Sequence, residues 1–136
     1  MKAANLTLAG CLLFPALGGA AIPSHAFELS GAWTTDSGVC PKLFAKTAKA
    51  ISFQRDSEEH GSGFIVDGNV IRGPRTKCTI KSKKENGPQT TLIAICATDI
   101  MIDEVQLNFK VLDDNKIVRL FPKMESFEMT YVRCPL

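Results

Sequence analysis

Cysteine is the residue type whose number and spacing in this chain could do chemistry, as a disulfide framework, a metal site or a nucleophile. The chain has 5 cysteines, and four of them, Cys40, Cys78, Cys96 and Cys134, lie far apart in the sequence. Zinc ligands usually come as closely spaced cysteine pairs, and no such pair is present. In an oxidising compartment an even set of cysteines usually forms disulfides, which leave no thiolate for catalysis. The sequence therefore predicts two disulfides.

The pairing of these cysteines follows from one turn signal. Four cysteines allow three pairings. The turn-forming sequence Asn86-Gly87-Pro88 separates two strand-like runs, and a hairpin centred on Gly87 places Cys78 opposite Cys96. Directly opposed strand residues lie within disulfide reach. The predicted bridges are therefore Cys78–Cys96 and Cys40–Cys134, the second of which joins the two ends of the domain.

The other candidates for catalysis or metal binding are few. His60 lies in a loop with Ser62, but the two are too close along the chain for a triad, and Ser62 lacks a Gly-x-Ser-x-Gly elbow. Glu58 and Glu59 beside His60 could hold a metal only weakly. Three acidic residues lie close together in the sequence: Asp99, Asp103 and Glu104. Two of them could act as the carboxylate pair of a glycosidase, but such a cluster is more typical of a solvent-exposed turn. The sequence predicts no enzyme, no metal site and no cofactor.

A basic cluster is the stronger candidate for a contact surface. Within one acid-free stretch the sequence places the side chains Arg75, Lys77, Lys81, Lys83 and Lys84. In a regular strand Lys77, Lys81 and Lys83 share one face, where they could contact a protein or an anionic surface. The alternative interpretation is that these lysines protect a strand edge against aggregation.

The first 26 residues have the pattern of a cleaved secretory signal. Lys2 precedes an apolar run over residues 6–17, and Ser24-His25-Ala26 offers small residues for a signal peptidase. The run is too short to span a bilayer. Leu8-Ala9-Gly10-Cys11 also resembles a lipoprotein signal, but apolar sequence continues beyond Cys11, which favours cleavage over a lipid anchor. We expect an exported protein, periplasmic or secreted.

Residues 27–136 then form a single disulfide-stapled β domain. The chain of 136 residues is 45% hydrophobic and 22% charged, and its net charge of +2 is too small for a protein that neutralises nucleic-acid phosphates. Apolar residues alternate with polar ones along most of the domain, with one short helix near residues 41–49. About nine short strands joined by hairpin turns predict a mainly β fold, an antiparallel meander that closes into a small barrel or sandwich.

Two short elements resemble a known superfamily. Gly31-Ala32-Trp33 in the first strand and Arg133 in the last resemble the calycins, which include lipocalins, avidins and small bacterial metalloprotease inhibitors. The resemblance implies a β-barrel in which the arginine packs across the tryptophan. We expect a non-enzymatic exported protein that binds a macromolecule or a small molecule. The alternatives are an inhibitor of a protease or lysozyme, and a secreted bacterial factor acting on a host cell.

Overall fold

The computed structural model describes residues 27–136 and contains ten β-strands and one short α-helix. The strands follow the alternation of apolar and polar residues in the sequence. The predicted signal segment and Cys11 lie outside the described residues. The elements are β1 (Gly31–Thr34), α1 (Cys40–Leu43), β2 (Phe44–Lys46), β3 (Ile51–Phe53), β4 (Gly63–Asp67), β5 (Val70–Arg72), β6 (Lys77–Asn86), β7 (Gln89–Ala97), β8 (Ile102–Asp113), β9 (Lys116–Leu120) and β10 (Glu128–Arg133).

Eight of the strands form a closed antiparallel barrel in the order β1-β10-β9-β8-β7-β6-β5-β4. The predicted mainly β fold is confirmed, and the structure selects the barrel over the sandwich. Inward-facing side chains at alternate positions form the main core of the barrel, and Trp33, Leu92 and Ile117 are completely buried there. In this closed barrel β7 pairs with β6 on one side and with β8 on the other.

A second, smaller core lies outside the barrel. There α1 and the β2–β3 hairpin cover the outward side chains of Ala32 and Ile65. The short helix is present but ends at Leu43, so the prediction that it continues to residue 49 is wrong. Residues 44–46 pair with β3 instead, and the rings of Phe44 and Phe53 lie 5.4 Å apart. Burying Phe44 in this hairpin outweighs the helical periodicity of the local sequence.

Both predicted disulfides are present. Cys78 and Cys96 lie opposite each other in the β6–β7 pair, with a Cα–Cα distance of 3.9 Å, and Cys40 and Cys134 are joined at 5.6 Å. The hairpin is not centred on Gly87, however, because Asn86 pairs with Gln89. A bulge between Ile80 and Ser82 inserts one extra residue and restores the predicted cysteine pairing.

Candidate functional site

A cavity opens at one end of the barrel. Turns of an antiparallel barrel alternate between its two ends, so the β5–β6 and β7–β8 connections, residues 73–76 and 98–101, lie at the same end. Side chains from both connections line a cavity of about 420 Å³. This volume falls within the range of about 300–1,000 Å³ that small-ligand sites occupy.

Aromatic and aliphatic side chains form most of the cavity surface. Phe64, Phe109 and Tyr131 make an aromatic cluster, in which the rings of Phe64 and Tyr131 lie edge to face at 5.0 Å. Val105 and Leu107 of β8 continue the apolar wall. The Cys78–Cys96 disulfide also lines the cavity, so it links two strands of the wall that a ligand would contact. Such a surface suits hydrocarbon or aromatic groups.

Two charged residues line the cavity. Arg119 is half-buried, and its guanidinium carbon lies 4.7 Å from the centroid of the Phe121 ring. Asp103 is exposed, and its carboxylate accepts a hydrogen bond of 2.8 Å from the Glu104 amide. Sequence reasoning missed Arg119, although one signal was available. It lies two residues after the inward-facing Ile117, at a strand position where the alternation calls for an apolar side chain.

The opposite end of the barrel is closed around Trp33. The guanidinium of Arg133 lies 4.3 Å from the centroid of the Trp33 ring and donates to the backbone carbonyls of Glu28, Ser30 and Asp114. Burial lowers the pKa of Arg133 below its usual value. The indole N–H of Trp33 donates to the Leu29 carbonyl at 2.8 Å, which satisfies the buried donor.

Gly31 permits this closure. Its φ of 134° is rarely adopted by other residues, and a Cβ added there would lie 2.9 Å from a terminal nitrogen of Arg133. At the same end, the Ser30 amide donates to the Glu28 carboxylate at 2.9 Å, which lowers the pKa of that carboxyl. The spacing of glycine, tryptophan and arginine is thus explained by one contact that closes the barrel.

An apolar turn projects beside the open end. Ile100 and Met101 of the β7–β8 connection are 91% and 54% exposed, and Ile102, the first residue of β8, is 74% exposed. The turn is closed by a hydrogen bond of 2.9 Å from the Thr98 amide to the Met101 carbonyl. Met101 also lines the cavity, so the exposed turn and the cavity mouth are continuous. Three consecutive large apolar residues are therefore exposed beside the cavity mouth.

The basic residues singled out in the sequence are dispersed. The bulge in β6 places Lys83 opposite Leu92, on the inward-facing side, so the prediction that Lys77, Lys81 and Lys83 share one face is wrong for Lys83. Lys83 pairs with Glu85 at 2.9 Å, and Arg75 pairs with Glu58 at 2.9 Å.

The distal half of β6 is a strand edge, because residues 82–86 pair only with β7 beyond the bulge, whereas the Ile80 amide still donates to the Asn69 carbonyl. This arrangement suits the edge-protection interpretation of Lys81, Lys83 and Lys84. The contribution of these lysines to partner binding remains a prediction.

Of the residues considered for catalysis, Ser62 and Asp103 line the barrel cavity. His60 is exposed and does not line the barrel cavity, whereas Ser62 lines it. Asp99, Asp103 and Glu104 are exposed near the β7–β8 turn. Within residues 27–136 no group of three or more histidine, cysteine or acidic side chains is placed to hold a metal ion. In the same part of the chain no helix is long and apolar enough to cross a membrane.

The fold and the cavity define a class of protein: a closed eight-stranded antiparallel barrel with an apolar cavity at one end and an arginine-covered tryptophan at the other. Comparisons with protein-family models, curated proteins and solved structures found no match to this chain.

Proposed function

We propose that this is an exported, non-enzymatic protein that binds one small, mainly apolar ligand in the barrel cavity. The observation that carries the proposal is the cavity of about 420 Å³, with its aromatic and aliphatic lining and few polar groups. Its mainly apolar lining distinguishes it from other concavities of similar volume in the described residues, whose linings are more polar. Apolar walls supply affinity, and a small number of polar groups fix the orientation of the ligand.

The two disulfides support the proposal that the protein is exported. Two disulfides are typical of proteins that mature in an oxidising environment, and they agree with the signal pattern of residues 1–26. The Arg133–Trp33 contact agrees with the resemblance to calycins, whose members include small-ligand binders and metalloprotease inhibitors alike.

A side chain that fills the cavity tests the proposal. Val105 is half-buried, lines the cavity and pairs with Ala94 of β7. In Val105→Trp the larger side chain occupies the ligand space. We expect its affinity for the neutral fluorescent probe N-phenyl-1-naphthylamine to fall at least about tenfold, with a loss of less than about 2 kcal/mol in the free energy of unfolding. Fluorescence titration and urea unfolding measure the two quantities.

The matched control is Ile93→Trp. Ile93 neighbours Ala94 on β7 but faces the outside of the barrel, so this variant adds the same bulk outside the cavity. It should bind the probe as the wild type does. Unchanged probe affinity in Val105→Trp, with the fold intact, would overturn the proposal.

A second candidate function rests on the apolar turn. Inhibition of a protease or lysozyme would use Ile100 and Ile102 as side chains that insert into a pocket of the enzyme. The protrusion of this turn beyond the packed barrel favours this interpretation over a contact through the dispersed lysines.

Assays of wild-type protein against proteases and lysozymes test this candidate. Where inhibition is found, replacing both Ile100 and Ile102 with serine should weaken it at least about tenfold, because each buried isoleucine contributes substantially. Leu112→Ser is the control, since Leu112 is 50% exposed near the opposite end. Absence of inhibition by the wild type, or equal inhibition by the double variant, argues against an inhibitor.

A further inference from the structure

The strand register places one basic side chain in the cavity. Arg119 of β9 lies opposite Phe109 of β8 and Met129 of β10. Paired residues of neighbouring strands project from the same face of a sheet. Phe109 lines the cavity, and Arg119 lines it with Phe109. A charged residue therefore occupies an inward position of the barrel, where the surrounding side chains are apolar.

The guanidinium of Arg119 has no charged partner among residues 27–136. The two ion pairs in this part of the chain are Arg75–Glu58 and Lys83–Glu85. Arg133, by contrast, donates to three backbone carbonyls. The one specific contact of Arg119 is with the Phe121 ring. A guanidinium carries five N–H donors and cannot lose its charge in a protein, so Arg119 presents unused donors to whatever enters the cavity.

We infer that the cavity binds a small amphipathic carboxylate, with the carboxylate on Arg119 and the hydrocarbon part against Phe64, Phe109 and Tyr131. This inference rests on the proposed function, and it names the ligand class. The planar fork of a guanidinium donates two parallel hydrogen bonds to a carboxylate, and low-dielectric surroundings strengthen such bonds.

Asp103 does not oppose this arrangement strongly. It is exposed at the rim, where water and salt screen its charge, and its carboxylate already accepts the Glu104 amide. Arg119 is half-buried, so its interactions are screened less. The positive charge of Arg119 therefore determines that the ligand is an anion, in spite of the nearby carboxylate of Asp103.

Ligands with matched hydrocarbon chains test the inference. Decanoate, decan-1-ol and decyltrimethylammonium are titrated against the wild type loaded with the neutral probe N-phenyl-1-naphthylamine, at neutral pH. We expect decanoate to displace the probe at a concentration about tenfold or more below that of decan-1-ol, because hydrogen bonds to a charged group are worth roughly this factor. The cationic ligand should bind most weakly.

Variants assign the preference to one side chain. In Arg119→Gln we expect the preference for decanoate over decan-1-ol to fall to within about twofold, because the ratio of the two displacement concentrations reports the carboxylate contact itself. Arg119→Lys should keep part of the preference, because it retains the charge without the fork. Arg55→Gln removes an exposed arginine that does not line the cavity and should change nothing.

The outcomes separate this inference from the proposed function. Equal displacement by decanoate and decan-1-ol in the wild type, or an undiminished preference in Arg119→Gln, overturns the carboxylate assignment while the cavity still binds the probe. If neither the probe nor any of the three ligands binds, the proposed function itself fails, and this inference fails with it.

Discussion

Replacing both Cys40 and Cys134 with alanine is expected to lower the free energy of unfolding by about 4 to 5 kcal/mol. The bridge closes a loop with a sequence separation of 94, and in the loop-closure model the constraint on the unfolded chain grows with loop length. Urea unfolding of the oxidised wild type and the double variant measures the difference.

The Cys78–Cys96 bridge is the internal comparison. Its separation of 18 predicts a smaller loss, about 3 kcal/mol, for the corresponding double alanine variant. The two bridges also differ in position, since Cys40 and Cys134 belong to the outer core and the other pair lines the cavity. A larger loss from removing Cys78 and Cys96 would contradict the loop-length argument and assign the stabilisation to packing in the cavity wall.

Trp33→Ala is the second change with a large expected effect, a loss of about 3 to 5 kcal/mol in the free energy of unfolding. Trp33 is fully buried, contacts Phe27 and Phe64, and supports the aromatic cluster under the cavity. Its removal leaves a void that a closed barrel fills only partly. Thermal and urea unfolding measure the loss, and Trp33→Phe, which keeps an aromatic ring, should lose less.

A double-mutant cycle isolates the contact between Trp33 and Arg133. Arg133→Met removes the cation and its donors to three carbonyls, and Trp33→Leu removes the aromatic ring. We expect the combined variant to cost about 1 kcal/mol less than the sum of the single changes. Strict additivity would show that Arg133 stabilises the barrel through its carbonyl contacts alone.

The cavity illustrates how far sequence reasoning reaches toward the candidate site. The alternation in β8 and β10 indicates that Leu107, Phe109 and Tyr131 face inward, and the structure places them there. It does not indicate that the space between them is unfilled. That depends on how strands distant in sequence are tilted and staggered when the barrel closes. Arg119 became a candidate binding residue only when the structure placed its side chain in the lining of the cavity.

The β6–β7 hairpin combines a feature that the sequence predicts with details that only the structure reveals. A turn signal and two cysteines determined the bridge Cys78–Cys96 from the sequence by itself, because hairpin pairing is local. The structure reached that bridge through a different turn centre and a bulge near Lys81, which sequence alternation does not reveal.

The sequence by itself determined the features that depend on neighbouring residues: most of the strands and turns and the Cys78–Cys96 bridge, which left Cys40 and Cys134 as the remaining pair. Tertiary structure decided the features that depend on distant packing. It chose the barrel over the sandwich, ended the helix at Leu43 and left the cavity open at one end. The physical reason is that a local pattern fixes which face of a strand is apolar. Only the assembled barrel fixes what that face packs against and where space remains.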